Sequence, residues 1–167
     1  MFRMKRMSGF ANGSRSLVHP LQQLYDAPLY PASRFTMDEA ALRKDIPVIM
    51  AAHAAVKSAL EAGRLAKALG SSLQSSVVIT VPEGEVAQAL SRHAAELDAM
   101  FVVSSVDINT EVPEAAWAYG EEFVVGGVKG KVTVLPPKEH KCGRCWRYLA
   151  QVEDGLCGRC EDAVGGL

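Results

Sequence analysis

The sequence predicts an α/β protein in which an N-terminal helical segment leads into a small βαβ-containing unit, followed by a C-terminal tetra-cysteine knuckle. Three observations carry this expectation. Residues 48–69 are alanine-rich, with charged positions recurring at helical spacing. Two β-branched runs, Ser76–Val81 (SVVITV) and Phe101–Ile108 (FVVSSVDI), flank a second helical pattern. All four cysteines fall in two C-x-x-C pairs separated by eleven residues near the end of the chain.

Composition sets the limits within which these elements are placed. At 167 residues, 49% hydrophobic and 22% charged, the chain can bury a core and fits one to two small domains. A net charge of −1 provides no global attraction to nucleic acid, so any such binding must come from local patches. No run of about 20 uncharged apolar residues occurs, and no membrane span is expected. Met1 to Tyr25 carries Arg3, Lys5, Arg6 and Arg15 without an acidic residue. That composition is shared by mitochondrial transit peptides and by unstructured termini, and its weak helical periodicity leaves both readings open.

Taken in order, residues 1–35 read as a basic start and a connector in which Pro20, Pro28 and Pro31 forbid a continuous helix. Residues 36–75 form the helical part. Thr36 is placed to cap a helix, with Asp38 and Glu39 at its positive end. Pro47 suits the first turn of a new helix running from Val48 to Leu69. His53, Lys57, Glu61, Arg64 and Lys67 make its polar face, while Val56, Ala59, Ala62, Leu65, Ala66 and Leu69 fill the remaining arc. Gly70 is positioned to end it in the left-handed conformation.

Residues 76–137 form the α/β unit. The strand Ser76–Val81 stops at Pro82, and a helix is expected over Glu83–Leu97 before the strand Phe101–Ile108. Strand, helix and strand in that order imply parallel pairing with a right-handed crossover. Phe123–Leu135 (FVVGGVKGKVTVL) supplies one or two more strands, with glycines at a turn or bulge. Pro136 and Pro137 separate this unit from residues 138–167, the knuckle and tail.

Two C-x-x-C turns can point four thiolates at one centre, the ligand set of a structural zinc held by Cys142, Cys145, Cys157 and Cys160. A rubredoxin-like iron site uses the same ligands. A pair of disulfides fits poorly in a chain without a secretory signal. Around the ligands stand Lys141, Arg144, Trp146, Arg147, Tyr148 and Arg159, cations and rings of the kind that hold phosphates and stack on unpaired bases. The competing reading makes Trp146 and Tyr148 covers for the metal and leaves the arginines solvated.

No phosphate-binding G-x-x-x-x-G-K-[ST] loop, no G-x-S-x-G elbow and no H-E-x-x-H occurs. His19, His53, His93 and His140 lie on separate segments and read as surface or packing residues. Asp98 and Asp107 carry no pairing signal. No catalytic residue is assigned.

Three stretches together resemble the isoleucyl-tRNA synthetases of bacterial and mitochondrial type. Val56, Leu60, Glu61, Arg64, Lys67, Leu69, Gly70, Ser71, Ser72, Leu73 and Gln74 resemble the family's V-x-x-x-L-E-x-x-R-x-x-K-x-[IL]-G-S-S-L-[EQ] pattern. Glu96, Leu97, Phe101, Val102, Val103, Ser104 and Val106 look like its E-L-x-x-x-[FL]-[IV]-V-S-x-V segment. Lys141, Cys142, Arg144, Cys145, Trp146, Arg147, Tyr148, Leu156, Cys157, Arg159 and Cys160 are similar to its closing K-C-x-R-C-W-x-Y…L-C-x-R-C knuckle. The knuckle singly is also similar to that of formamidopyrimidine-type DNA glycosylases.

This resemblance implies the C-terminal portion of an isoleucine-tRNA ligase: the end of the anticodon-binding region, an α/β unit and a zinc knuckle that contacts the isoleucine tRNA. It also implies a bacterial cytoplasmic or mitochondrial setting, the acid-free start favouring the mitochondrion. The family's H-I-G-H and K-M-S-K-S signatures are absent from this sequence, so the chain alone is expected not to charge tRNA. The expected state is a monomer, or a partner of the remaining synthetase if the gene is split. The alternative is a stand-alone nucleic-acid-binding zinc-finger protein.

Overall fold

The computed structural model describes residues 39–165, and the basic start, the proline-rich connector and the Thr36 cap lie outside the described residues. The first element, α1 (Glu39–Leu65), is one helix of 27 residues with Pro47 inside it, not a new helix begun at Pro47. Pro47 removes one backbone hydrogen bond, a loss that ordinarily breaks a helix. Here the buried face runs through it unbroken as Asp45, Val48, Ile49, Ala52, Ala55, Val56, Ala59, Leu60 and Gly63, while Pro47 itself faces outward. Tertiary packing thus holds both halves in one rod.

The end of α1 also departs from expectation. Lys67, not Gly70, takes the left-handed conformation, at φ 57°. The Ala68 amide donates to Gly63 O at 3.0 Å and the Lys67 amide to Arg64 O at 2.9 Å, the paired bonds of a Schellman ending. The chain therefore turns earlier and swings Leu69 back into the core. Leu65, expected on the packed arc, is 77% exposed, and Ala62 and Ala66 are exposed with it.

A four-stranded sheet lies against α1 in the order β2-β1-β4-β3, formed by β1 (Ser76–Thr80), β2 (Ser105–Ile108), β3 (Tyr119–Val125) and β4 (Val128–Leu135). β1 and β2 pair in parallel, as the strand–helix–strand order requires. β4 pairs antiparallel with both β1 and β3. Val77, Ile79, Val132 and Val134 alternate onto the α1 face and are fully buried. Gly126 and Gly127 turn β3 into β4 with φ of 57° and 79°, the geometry of a type I′ hairpin, which side chains resist. At Gly130 a Cβ would lie 2.4 Å from the Phe123 ring, so the bare backbone lets that ring cross β4 and close the core.

The helix expected over Glu83–Leu97 is two helices, α2 (Glu85–Arg92) and α3 (Ala94–Phe101), broken at His93. The break sits over a buried charge on α1. Asp45, 2% exposed, accepts from Arg92 at 2.6 and 2.9 Å and lies 3.1 Å from His93 Nε2. Phe101, expected to open a strand, instead ends α3 and stacks on His53 with ring centroids 5.4 Å apart. Val102 then turns the chain at φ 56°, and pairing begins only at Ser105.

The knuckle follows Pro136 and Pro137. A two-stranded ribbon, β5 (His140–Lys141) and β6 (Tyr148–Ala150), precedes α4 (Gly158–Gly165). No helix among the described residues is long and apolar enough to cross a membrane.

A candidate metal centre joined to the α/β unit

The first C-x-x-C pair occupies the turn between β5 and β6, and the second opens α4. Folding brings the four sulfurs of Cys142, Cys145, Cys157 and Cys160 within 4.8 Å of one another. Cys142, Cys157 and Cys160 are buried, and Cys145 is exposed. A tetrahedron with metal–sulfur arms of about 2.3 Å has edges of about 3.8 Å. The Cys145–Cys157 sulfur separation of 3.7 Å matches such an edge. The donor set is four soft thiols with no oxygen, which suits zinc or iron and excludes hard cations.

The thiols differ in ways that follow from their surroundings. Backbone N–H groups of Cys145, Cys157 and Arg144 point at the Cys142 sulfur and hold its pKa down at about 6, against the opposing effect of burial. Burial pushes Cys160 up to about 12, with neighbouring thiols adding to it, and burial also raises Cys145. The Cys142 thiolate is thus prepared by amides, whereas Cys145 and Cys160 need a cation before they ionise.

The six flanking residues separate into two groups. Lys141, Arg144, Trp146 and Arg159 face solvent. Trp146, 62% exposed, stands on a backbone at φ 65°, and the Lys141 ammonium lies 5.2 Å from its ring centroid. Its cavity of about 430 Å³ also receives Glu139, Glu153 and Asp154. An exposed ring is a poor cover for the metal.

Arg147 and Tyr148 instead turn inward. The Arg147 guanidinium, 14% exposed, pairs with Asp98 of α3 and donates to Val103 O and Ser104 O, both at 3.1 Å. Asp98, which carries no pairing signal in the sequence, is its partner. The Tyr148 amide donates to Ser104 Oγ at 2.7 Å, and its hydroxyl accepts from Gln74 at 3.3 Å. Ser104 Oγ in turn donates to Leu73 O at 2.6 Å. Nothing in the sequence separates Arg147 from Arg144, three residues earlier; only the position of α3 does.

Gln74, Ser104 and Tyr148 come from three stretches far apart in the chain. They meet at one joint, which seats the knuckle on the end of the sheet. The class defined is therefore an α/β unit carrying, as a fixed appendage, a four-thiol knuckle whose geometry can hold a metal ion.

Comparison with known proteins finds relatives for the chain. The chain is similar to a C-terminal portion of isoleucine–tRNA ligases. It is 38% identical over 116 residues to the isoleucine–tRNA ligase of Gloeobacter violaceus, covering 66% of this chain and 11% of that protein. Against the ligase of Chromobacterium violaceum it is 36% identical over 133 residues, 77% of this chain and 12% of that protein. The ligase of Stutzerimonas stutzeri is 35% identical over 123 residues, 71% of this chain and 12% of that protein. The chain thus spans about an eighth or less of the length of these curated relatives. No family model matches it.

Proposed function

We propose that the chain is a tRNA-binding, zinc-braced portion of an isoleucine–tRNA ligase, separate from the catalytic chemistry and serving to hold the isoleucine tRNA. The observation that carries this is the joint at Ser104. It fastens the knuckle rigidly to the α/β unit while leaving Lys141, Arg144, Trp146 and Arg159 outward. Zinc is the metal proposed, bound by Cys142, Cys145, Cys157 and Cys160; when present it supplies no reaction but fixes the two turns that carry these side chains. Arg147 and Tyr148 act as positioning residues within the RNA-binding set. The setting proposed is that of bacterial-type ligases, the bacterial cytoplasm or the mitochondrion.

The test is titration of isoleucine tRNA with the zinc-loaded chain at several salt concentrations. Affinity should fall as salt rises, because phosphate contacts release counterions. Trp146→Ala should weaken binding by about 1–3 kcal/mol, the worth of one stacked base. A variant that keeps its metal and binds as tightly as the parent removes Trp146 from the interface, and absence of salt-dependent binding by the parent removes the reading.

A further inference from the structure

The knuckle is built on a repeated tetrapeptide, Cys142-Gly143-Arg144-Cys145 and Cys157-Gly158-Arg159-Cys160. Because the thiols of both copies converge, the arginines are also brought to one place. Arg144 and Arg159 line the same cavity, about 480 Å³, together with Cys145, Cys160 and Ala163. No carboxylate lines it. Glu161 and Asp162 follow Arg159 on α4 but form no ion pair with it.

The remaining arginines at positions 39–165 behave differently. Arg43 pairs with Glu39, Arg64 with Glu61, Arg92 with Asp45 and Arg147 with Asp98. Among the described residues, the guanidiniums of Arg144 and Arg159 have neither an ion pair nor a hydrogen bond. In a chain of net charge −1, two unpaired arginines at an acid-free cavity are an unmet demand for an anion. The cavity beside Trp146 is the opposite case, with Glu139, Glu153 and Asp154 around it. Lys141 and His140 stand among those carboxylates, so the ring's cavity has acids to offset its cation, whereas the paired arginines have none and are the place for a backbone phosphate.

We infer that Arg144 and Arg159 form a clamp for a single phosphodiester of an RNA backbone, one guanidinium from each copy of the repeat. Planar guanidiniums suit this task, since each offers two parallel N–H donors to phosphate oxygens. The inference rests on the RNA-binding reading above and specifies where the backbone, as distinct from a base, is gripped. Two arginines sharing one phosphate act as a unit, so removing either releases it.

The experiment uses the full zinc-loaded chain as parent, Arg144→Gln, Arg159→Gln, the double variant and both Arg→Lys variants, with metal content measured for each. Each Gln variant should bind isoleucine tRNA about tenfold more weakly, as for a lost charge-assisted contact. The double variant should lose little more than either single one. The slope of log K against log salt should flatten by about 0.7–0.9, the increment for one phosphate. Lysine should restore only part of the affinity.

Fully multiplicative losses would mean separate phosphates and would overturn the shared clamp. Unchanged RNA affinity with weakened metal binding would also overturn it, making the arginines counter-charges to the thiolates. If the parent fails to bind tRNA, the RNA reading falls, and inorganic phosphate then tests the clamp alone. Joint shifts of the Arg144 and Arg159 Nε–H resonances with phosphate but not chloride would uphold an anion site, and no shift would refute it.

Discussion

Residues 39–135 bury a continuous apolar cluster that includes Val56, Leu60, Val77, Ile79, Leu90, Leu97, Phe101, Val132 and Val134. The knuckle buries Cys142, Ala150, Cys157 and Cys160, with Leu149 and Leu156 partly covered. Burying one large apolar side chain contributes roughly 1.5–3 kcal/mol. The first region therefore has many such contributions to set against chain entropy, and the second has almost none. One part of the molecule is held by area removed from water; the other has too little such area, and the zinc proposed for its four thiols would supply ligand bonds instead. They meet at a joint made of neither, a set of hydrogen bonds around Arg147, Tyr148 and Ser104.

The sharpest way to break this contrast is to take the metal away. Chelation or Cys157→Ser should unfold the knuckle while leaving the sheet and α1 folded, because metal coordination is worth on the order of 10–16 kcal/mol of apparent free energy in comparable zinc peptides. Amide exchange should rise across residues 140–160 and remain slow in β1 and β4. Simultaneous loss of both regions would show that the α/β core is not self-supporting. Leu90→Ala is the converse experiment. Leu90 is fully buried, and its truncation should destabilise the α/β unit by about 2–5 kcal/mol with the metal still bound. Chemical denaturation with metal analysis on the same sample would check both halves.

Arg147→Ala addresses the joint. The variant should retain its zinc but lose about 1.5–3 kcal/mol of stability, the worth of a charged hydrogen-bonding group, together with exchange protection at residues 98–104. Loss of zinc without change at 98–104 would make Arg147 part of the metal shell.

The smallest expected effect comes from acid. Arg92, by hydrogen bonding to Asp45, holds its pKa at about 2 against an ordinary 3.8, with His93 acting in the same direction. A carboxylate with a lowered native pKa stabilises the fold above its unfolded value, so this contribution is intact above pH 3.8 and is lost as pH falls toward about 2. Asp45→Asn in a Cys157→Ser background, where metal release cannot contribute, should flatten the acid limb of the stability profile. An unchanged limb would assign acid sensitivity to other groups.

Local chemistry made several elements legible. Ser76–Thr80 is a strand because β-branched residues end at a proline, and the Gly126-Gly127 pair turns a hairpin because glycines adopt positive φ cheaply. Cysteine spacing exposed the candidate metal centre before any coordinates, since ligand type and loop length are properties of the chain. Other features depended on partners distant in sequence. The passage of α1 through Pro47, the break at His93 and the conversion of Phe101 from strand to helix end are each decided by packing against another element. Periodicity cannot report such forces, because they come from residues outside any local window.

The same division runs through the candidate site. The sequence by itself determined that four thiols and a group of cations and rings share one short segment. Only the tertiary structure decided which cations are spent. Asp98 arrives from α3 to claim Arg147, while no carboxylate lines the cavity of Arg144 and Arg159. The physical reason is that a guanidinium's availability is set by the nearest carboxylate in space, and sequence distance says nothing about where that carboxylate lies.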